Sequence, residues 1–311
     1  MPATSTTETY RRVTERIVQA LERGDARAWV KPWSARTGRP RSISSGKAYQ
    51  GINSLVLGFA AIDKGYATPY WATYRQYAEI GAHVRKGEKG TPVLFYKELQ
   101  VADRDNPEET ARIPLARIFT VFSAAQVDNL PERYQAKPAD ERVIAGPQQV
   151  LDAYLDNGGP SLRHVPGDKA RYFPAADTIE LPERGQFSSP EAYYSVAFHE
   201  AGHSSGAAHR LDREGIAQFD HHGSDRYARE ELVAQLTSAM LCAETGIGSD
   251  ELQQNDVAYL ASWARTIKAE PKILVQAASQ AGKATDHVLE PSLELQKSAE
   301  LVAEAEQIEA A

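Results

Sequence analysis

Three observations predict an α+β fold in two domains, a mixed helix/sheet domain followed by a mainly helical domain with a small sheet. Charge is split along the 311-residue chain: the first 100 residues hold 16 Lys+Arg against 8 Asp+Glu, so the remainder must carry −15 to give the overall −7. Pro131, Pro138 and Pro147 punctuate a polar stretch from Asp128 to Pro147, the composition of a linker. Helix-like and strand-like runs are mixed before that stretch, and helix-like runs dominate after it. The expected units are therefore residues 1–127, a linker over 128–147, a second domain over 148–289, and an acidic helical tail over 290–311.

The elements follow in order. Val13, Ile17, Val18 and Leu21 form one apolar stripe, so Thr6 to Arg23 reads as an amphipathic helix ended by Gly24-Asp25. Trp29 to Lys47 is a Pro-, Arg-, Ser- and Gly-rich loop, and a second helix over Asn53 to Ala61 opens after Gly51. Tyr70 to Ile80 reads as a third helix. Ala82 to Arg85, Pro92 to Leu99 and Ile113 to Phe122 alternate or run apolar and read as strands, with Gly87 to Gly90 as a turn. Beyond the linker, Gln148 to Asp156 is a helix stopped by Gly158-Gly159-Pro160. Arg171 to Pro174 and Asp177 to Pro182 read as short strands, with Thr178 to Leu181 expected at a sheet edge where an extended peptide can pair. Three helices are expected to complete the domain: one opening at Pro190, one around Glu231 and one over Val257 to Lys268.

Composition bounds the setting. Apolar residues make up 42% of the chain, enough for two modest cores. The single cysteine, Cys242, excludes an intrachain disulfide and a thiolate metal cage and fits a reducing cytoplasm; flanked by Leu241 and Ala243, it reads as a buried small hydrophobe. No apolar run is long enough to span a bilayer and no leader is recognised, so a soluble cytoplasmic protein with no membrane partner is expected.

Chemistry concentrates at Ser195 to His203, where His199-Glu200-Ala201-Gly202-His203 spells His-Glu-x-x-His. On a helix, residues four apart share a face, so the His199 and His203 imidazoles converge on one Zn²⁺ or another divalent metal, and Glu200 leans toward the open coordination position as general base. A zinc site of this kind takes a third protein ligand. One candidate is His209, since Gly206 and His209 extend the run to His-Glu-x-x-His-x-x-Gly-x-x-His, the metzincin spacing. The others are Glu230 and Glu231 on a following helix. The metzincin arrangement also needs a methionine in a tight turn, yet Met240 sits in a helical composition. Glu231 is followed four residues later by Gln235, a polar group able to hydrogen-bond a ligand histidine, whereas Glu230 is followed by Ala234. Glu231 therefore ranks first, His209 second and Glu230 third. Tyr227 and His222 are the candidates for stabilising an oxyanion, and His83, His164, His221 and His287 receive no role.

The basic half interleaves aromatic and cationic residues, as recognition of single-stranded nucleic acid requires: bases stack on aromatics at about 1–3 kcal/mol each while Lys and Arg follow the phosphates. Trp33, Tyr49, Trp71 and Tyr74 lie close in sequence to Lys47, Arg75, Arg85, Lys86 and Lys89, and Asn53 offers an amide to a phosphate or base.

The run from His199 through Gly206, then His209-Arg210-Leu211-Asp212-Arg213 and Tyr227 to Ala234, resembles the zincin-like domain of ArdC-type antirestriction proteins. Ser45 to Asn53, Tyr70 to Gln76 and Gly81 to Gly90 resemble the same family's single-stranded-DNA-binding domain, and the likeness covers roughly residues 8 to 265. A related N-terminal domain occurs in TraC-type conjugative primases. Members usually carry an acidic residue where this chain has Gln235, which implies a weaker hydrogen bond there. The resemblance implies a plasmid-type protein that binds single-stranded DNA and protects incoming DNA, as in conjugation, from host restriction endonucleases. The alternative it leaves open is an active zinc endopeptidase that cleaves a host protein and is recruited through its DNA-binding domain.

Overall fold

The computed structural model describes residues 11, 14, 15, 17–19, 22, 38–102, 110–135, 146–217, 225–247 and 256–309. The described positions between 11 and 22 are all helical, as expected, and Ile17 and Val18 are buried. Strand β1 (Arg41–Ser42) leads into helix α1 (Ile52–Lys64), which ends on Gly65 in the left-handed conformation, φ 66°. Strand β2 (Tyr70–Thr73) and helix α2 (Tyr74–Glu79) occupy the segment expected to be a single helix. The reason is local. Pro69 and two sheet-favouring aromatics hold the chain extended, and Thr73 then starts the helix with a capping box in which Gln76 N–H donates to its hydroxyl.

The long hairpin β4 (Thr91–Ala102) and β5 (Thr110–Ser123) completes a four-stranded sheet in the order β1-β2-β5-β4, parallel only between β1 and β2. Strand β3 (His83–Val84) pairs instead with β6 (Val127–Asp128). Helix α1 lies between this sheet and the helices that follow. Leu57 and Ala61 on one side pack with Trp71, Val93 and Val121, while Ile52, Leu55, Val56 and Phe59 on the other enter a core shared with the second half of the chain.

That second half begins with α3 (Pro147–Asp156); residues 136–145 of the expected linker lie outside the described residues. A three-stranded sheet of β7 (Ser161–Val165), β8 (Arg171–Phe173) and β9 (Thr178–Pro182) has the order β7-β9-β8. Thr178 to Leu181 is thus the central strand, paired on both sides, and not the free edge expected for it; β7 returns parallel to it and takes the edge. Helices α4 (Pro190–Ser204), α5 (Glu214–Ala217), α6 (Asp225–Glu244), α7 (Asp256–Ala269) and α8 (Lys272–Glu309) follow. The acidic stretch from residue 290 continues the 38-residue α8 through Pro291, with no break at its start. Leu295, Leu301 and Val302 there are exposed.

The two halves are also joined by charge. The buried Arg39 donates from Nε to Glu244 Oε1 and from Nη2 to Asp286 Oδ1, both at 2.7 Å, and Arg41 donates to Glu244 Oε2 at 2.6 Å. No described helix is long and apolar enough to cross a membrane.

Candidate metal centre

Helix α4 is well specified at its start. Ser189 accepts from Ala192 N–H at 3.1 Å, Pro190 takes the first turn where no amide hydrogen is needed, and Glu191 complements the helix dipole. Its far end meets α6 closely because Gly202, inside the His-Glu-x-x-His run, has no Cβ. One built there would lie 3.1 Å from Ala234 Cα and 3.2 Å from Thr237 Cβ. This approach brings Glu231 to the two histidines. His199 Nε2 and His203 Nε2 are 3.1 Å apart, and they stand 3.5 and 3.4 Å from Glu231 Oε2 and Oε1. Donors bound at about 2.0–2.1 Å to one tetrahedral ion stand about 3.3 Å from each other, so this donor set fits a divalent cation. Among the described residues it is the one such cluster, all its donor atoms lying within 4.8 Å of one another.

Electrostatics agree. Burial alone would lower the histidine pKa values, but Glu231, Glu230 and Glu200 outweigh it and raise His203 to about 10; Glu231 and Glu200 likewise raise His199. The carboxyl of Glu231 is conversely held far below the usual range, because the two imidazoles overcome its desolvation. Such a pocket favours positive charge, whether proton or metal. Glu200, 6% exposed, adds its carboxylate from the same helix. Gln235 Oε1 accepts from His199 Nδ1 at 3.1 Å, the bond its offset from Glu231 predicts, and it leaves Nε2 facing the cluster.

The other third-ligand candidates point elsewhere. His209 is exposed, with Nε2 3.3 Å from Asp177. Glu230 ion-pairs with the buried Arg213. Gly206 serves neither metzincin turn nor ligand: a Cβ there would sit 2.7 Å from the Arg213 guanidinium. Met240 is buried within α6, and Cys242 is a buried thiol that desolvation pushes up to about 12. His164 packs on Tyr193, whose hydroxyl is 3.1 Å from its Nε2, and His287 lies against Tyr154. His221, His222 and the Tyr227 side chain fall outside the described residues.

The predicted DNA-contacting residues separate into two groups. Tyr74 is 60% exposed, and Lys47, Arg75, Arg85, Lys86 and Lys89 are exposed, although Arg75 pairs with Glu79, and Arg85 bonds Glu88 and the Ala125 carbonyl. Trp71 is the main correction: it is 0% exposed, the centre of the core beneath α1, and offers no ring face to a base. Its place on β2 rather than on a helix accounts for this, since the inward side of that strand is covered. Asn53 is also engaged: its side chain accepts from Leu94 N–H and donates to Leu94 O, standing in for a neighbouring strand at the β4 edge. Tyr49 is half-buried, and burial pushes its hydroxyl up to about 12. Trp33 lies outside the described residues. Phe95 and Phe119, which interleaving alone does not single out, are exposed and meet edge to face at 5.9 Å on the β4–β5 hairpin, with Arg117 in register opposite Phe95.

Comparison with known proteins agrees with both halves. Residues 7–122 match a family described as the N-terminal domain of anti-restriction factor ArdC, and residues 149–280 match the zincin-like metallopeptidase family. A DNA primase TraC of Escherichia coli is 38% identical over 89% of this chain, which spans only 19% of that protein's length. The protein y4eC of Sinorhizobium fredii is 39% identical over 90% of this chain and 91% of its own. The metal-free crystal structure of antirestriction ArdC from plasmid R388 superposes with a TM-score of 0.73 at 38% identity, covering 92% of this chain and 98% of that one. Its Mn(II)-bound form gives 0.71 at 37% identity, over 91% and 97% of the two chains. With relatives of this identity over nearly their whole length, the chain belongs to the ArdC antirestriction family, carrying its N-terminal domain together with a zincin-like domain.

Proposed function

We propose that this chain is a plasmid-type antirestriction protein that coats incoming single-stranded DNA through its N-terminal half, inside the recipient cytoplasm, and so denies host restriction endonucleases their substrate. The observation that supports this most is the full-length likeness to R388 antirestriction ArdC. The N-terminal half supplies the physics: its cationic surplus attracts phosphates, and Tyr74 and the Phe95–Phe119 pair, rather than Trp71, present ring faces and edges for bases.

His199, His203 and Glu231 are the proposed ligands of a divalent ion, zinc by the chemistry of a two-imidazole, one-carboxylate set; the Mn(II)-bound form of the R388 relative supports a divalent metal more broadly. A metal held there supplies Lewis acidity toward a carbonyl oxygen. The chain's own contribution would be Glu200, which the His-Glu-x-x-His spacing sets beside the two histidines and whose carboxylate would take a proton from an attacking nucleophile and pass it to a leaving amine. That residue in that motif favours a second reading, an endopeptidase acting on a host protein brought near the DNA.

One transfer experiment separates the two readings. A plasmid bearing the wild-type gene, Glu200→Ala, or Tyr74→Ala with Lys86→Ala is conjugated into a restricting recipient, and survival of the incoming DNA is counted. Coating predicts that Glu200→Ala protects fully and the double variant fails. Failure of Glu200→Ala alone, with single-strand binding intact, selects the peptidase.

A further inference from the structure

We infer that Arg213 and Glu230 form a clamp that positions the His203 imidazole for the metal, a second and charged counterpart to the Gln235 contact on His199. The inference rests on the metal-centre reading above. Glu230 precedes the proposed ligand Glu231 on α6, so its carboxylate reaches past the donor cluster to the opposite side of the His203 ring. There Glu230 Oε1 stands 3.5 Å from His203 Nδ1. That nitrogen is fully enclosed and has no hydrogen-bond partner within ordinary distance, and Glu230 is the acceptor beside it. A buried N–H of this kind is costly to leave unmade, which favours a ring orientation turned toward the Glu230 carboxylate.

Arg213 fixes the carboxylate. Its Nη2 donates to Glu230 Oε1 at 2.5 Å and its Nε to Oε2 at 3.1 Å, a two-point pairing that leaves the carboxylate one orientation. The same guanidinium donates to Gly202 O at 2.6 Å and to Ser205 Oγ at 2.8 Å, so it also ties down the end of α4 that carries His203. Both side chains are almost fully enclosed, 4% and 5% exposed. Two glycines make room for them. A Cβ on Gly206 would lie 2.7 Å from Arg213 Cζ, and one on Gly215 would lie 3.0 Å from Glu230 Cβ. Gly206 thus has a reason to be glycine unconnected with any third histidine.

The clamp also sets the charge of the pocket. Glu200, Glu230 and Glu231 bring three carboxylates, and Arg213 cancels one, leaving the charge of two carboxylates as the complement of a divalent ion. The two ring partners differ in kind. A neutral amide on His199 Nδ1 orients the ring; a carboxylate near His203 Nδ1 orients it and makes the opposite nitrogen a stronger donor.

The test measures Zn(II) and Mn(II) affinity of the full chain by competition with a chromophoric chelator, together with the Nδ1–H proton shifts of ¹⁵N-labelled histidines in the Zn(II)-loaded protein. Because Glu230→Ala would strand a buried guanidinium, the main variant is Arg213→Met/Glu230→Met, which removes both charges at similar volume; Glu230→Gln is the conservative companion. The double variant is expected to bind metal about 10–100-fold more weakly, and its His203 Nδ1–H signal to move upfield as the carboxylate partner is lost, while that of His199 stays in place. Glu230→Gln should restore part of the shift and part of the affinity. Wild-type affinity and an unchanged His203 Nδ1–H shift in the double variant would overturn the clamp. His199→Ala is the control: if it too binds metal like wild type, the metal-centre reading itself fails, whereas loss there with none in the double variant defeats the clamp alone.

Discussion

The metal cluster and the N-terminal sheet use charged and aromatic residues in opposite ways. Around His199 and His203 the ionisable groups are buried: Glu200, Glu230, Glu231 and Arg213 are all under a tenth exposed, and the two ion-pairing ones, Glu230 and Arg213, hold each other. Around the sheet Lys47, Arg75, Arg85, Lys86 and Lys89 stay in water and the largest aromatic, Trp71, is enclosed. Buried charge demands partners at fixed distances, so the cluster is rigidly specified. Exposed charge demands none, so the sheet's surface tolerates many arrangements. Sequence spacing therefore carries geometric information about the first region and little about the second.

Removing a proposed ligand from the rigid region gives the largest expected effect. Glu231→Ala should lose the bound metal equivalent altogether, beyond the roughly 10–100-fold cost of an outer partner, while single-strand affinity stays at the wild-type value. Metal analysis of the purified variant, beside His209→Ala as the silent comparison, checks this. A variant that lost DNA affinity to the same degree would show that the two regions depend on each other.

Trp71 sharpens the contrast from the other side. As a fully buried ring packed with Leu57, Val93 and Val121, its change to alanine should cost about 3–5 kcal/mol of stability. The unfolding midpoint in urea should fall, and any loss of DNA binding should track the unfolded fraction. Undiminished stability with weakened binding would return Trp71 to the surface role its neighbours in sequence suggested.

The ionic tie between the regions ranks next. Glu244→Ala would leave the buried Arg39 with Asp286 alone as its counter-charge and Arg41 without its carboxylate partner, at a cost of up to about 3 kcal/mol. Despite desolvation, Arg39 and Arg41 hold the Glu244 carboxyl below its ordinary pKa in the folded chain. A group depressed in this way contributes its full stability above the unfolded value of about 4.3 and loses it as pH falls toward the folded one. Wild-type stability should therefore decline below about pH 4.3 more steeply than that of Glu244→Gln. Parallel acid limbs for the two proteins would show that this pair does not couple to folding.

Much of this was legible in the sequence, for identifiable reasons. The spacing of His199 and His203 is a helical repeat, and Gln235 lies one turn beyond Glu231, so local periodicity sufficed to place four groups on two faces. The same offset ranks Glu231 above Glu230, and it is the Glu231 carboxylate that stands beside both Nε2 atoms. What spacing could not supply was tertiary pairing. Thr178 to Leu181 reads as an edge until β7 is known to return parallel to it, and Gly206 reads as a metzincin turn until Arg213 folds back against it. The segment after Pro69 has helical apolar spacing, yet aromatics on a covered strand outweigh it. Burial of Trp71 and exposure of Phe95 follow from where α1 ends over the sheet, which no window of sequence records.

The smallest effect concerns the permissive surface itself. If bases stack on rings left in water, Tyr74→Ala and Phe95→Ala should each weaken single-strand binding by about 1–3 kcal/mol, and the unfolding midpoint should not move, because 60% and 48% of these residues already face solvent. Phosphate neutralisation by Lys86 and Lys89 would show differently: replacing either with Ala should flatten the dependence of log affinity on log salt by roughly 0.7 for each phosphate of a single strand that is no longer neutralised, with little change in base preference. Fluorescence anisotropy with a labelled oligonucleotide across a salt series reads both. Ring variants that alter the salt slope, or lysine variants that leave it unchanged, would mean that stacking and phosphate neutralisation are not divided between these residues, and that the cationic surplus of the N-terminal half acts only as a diffuse field.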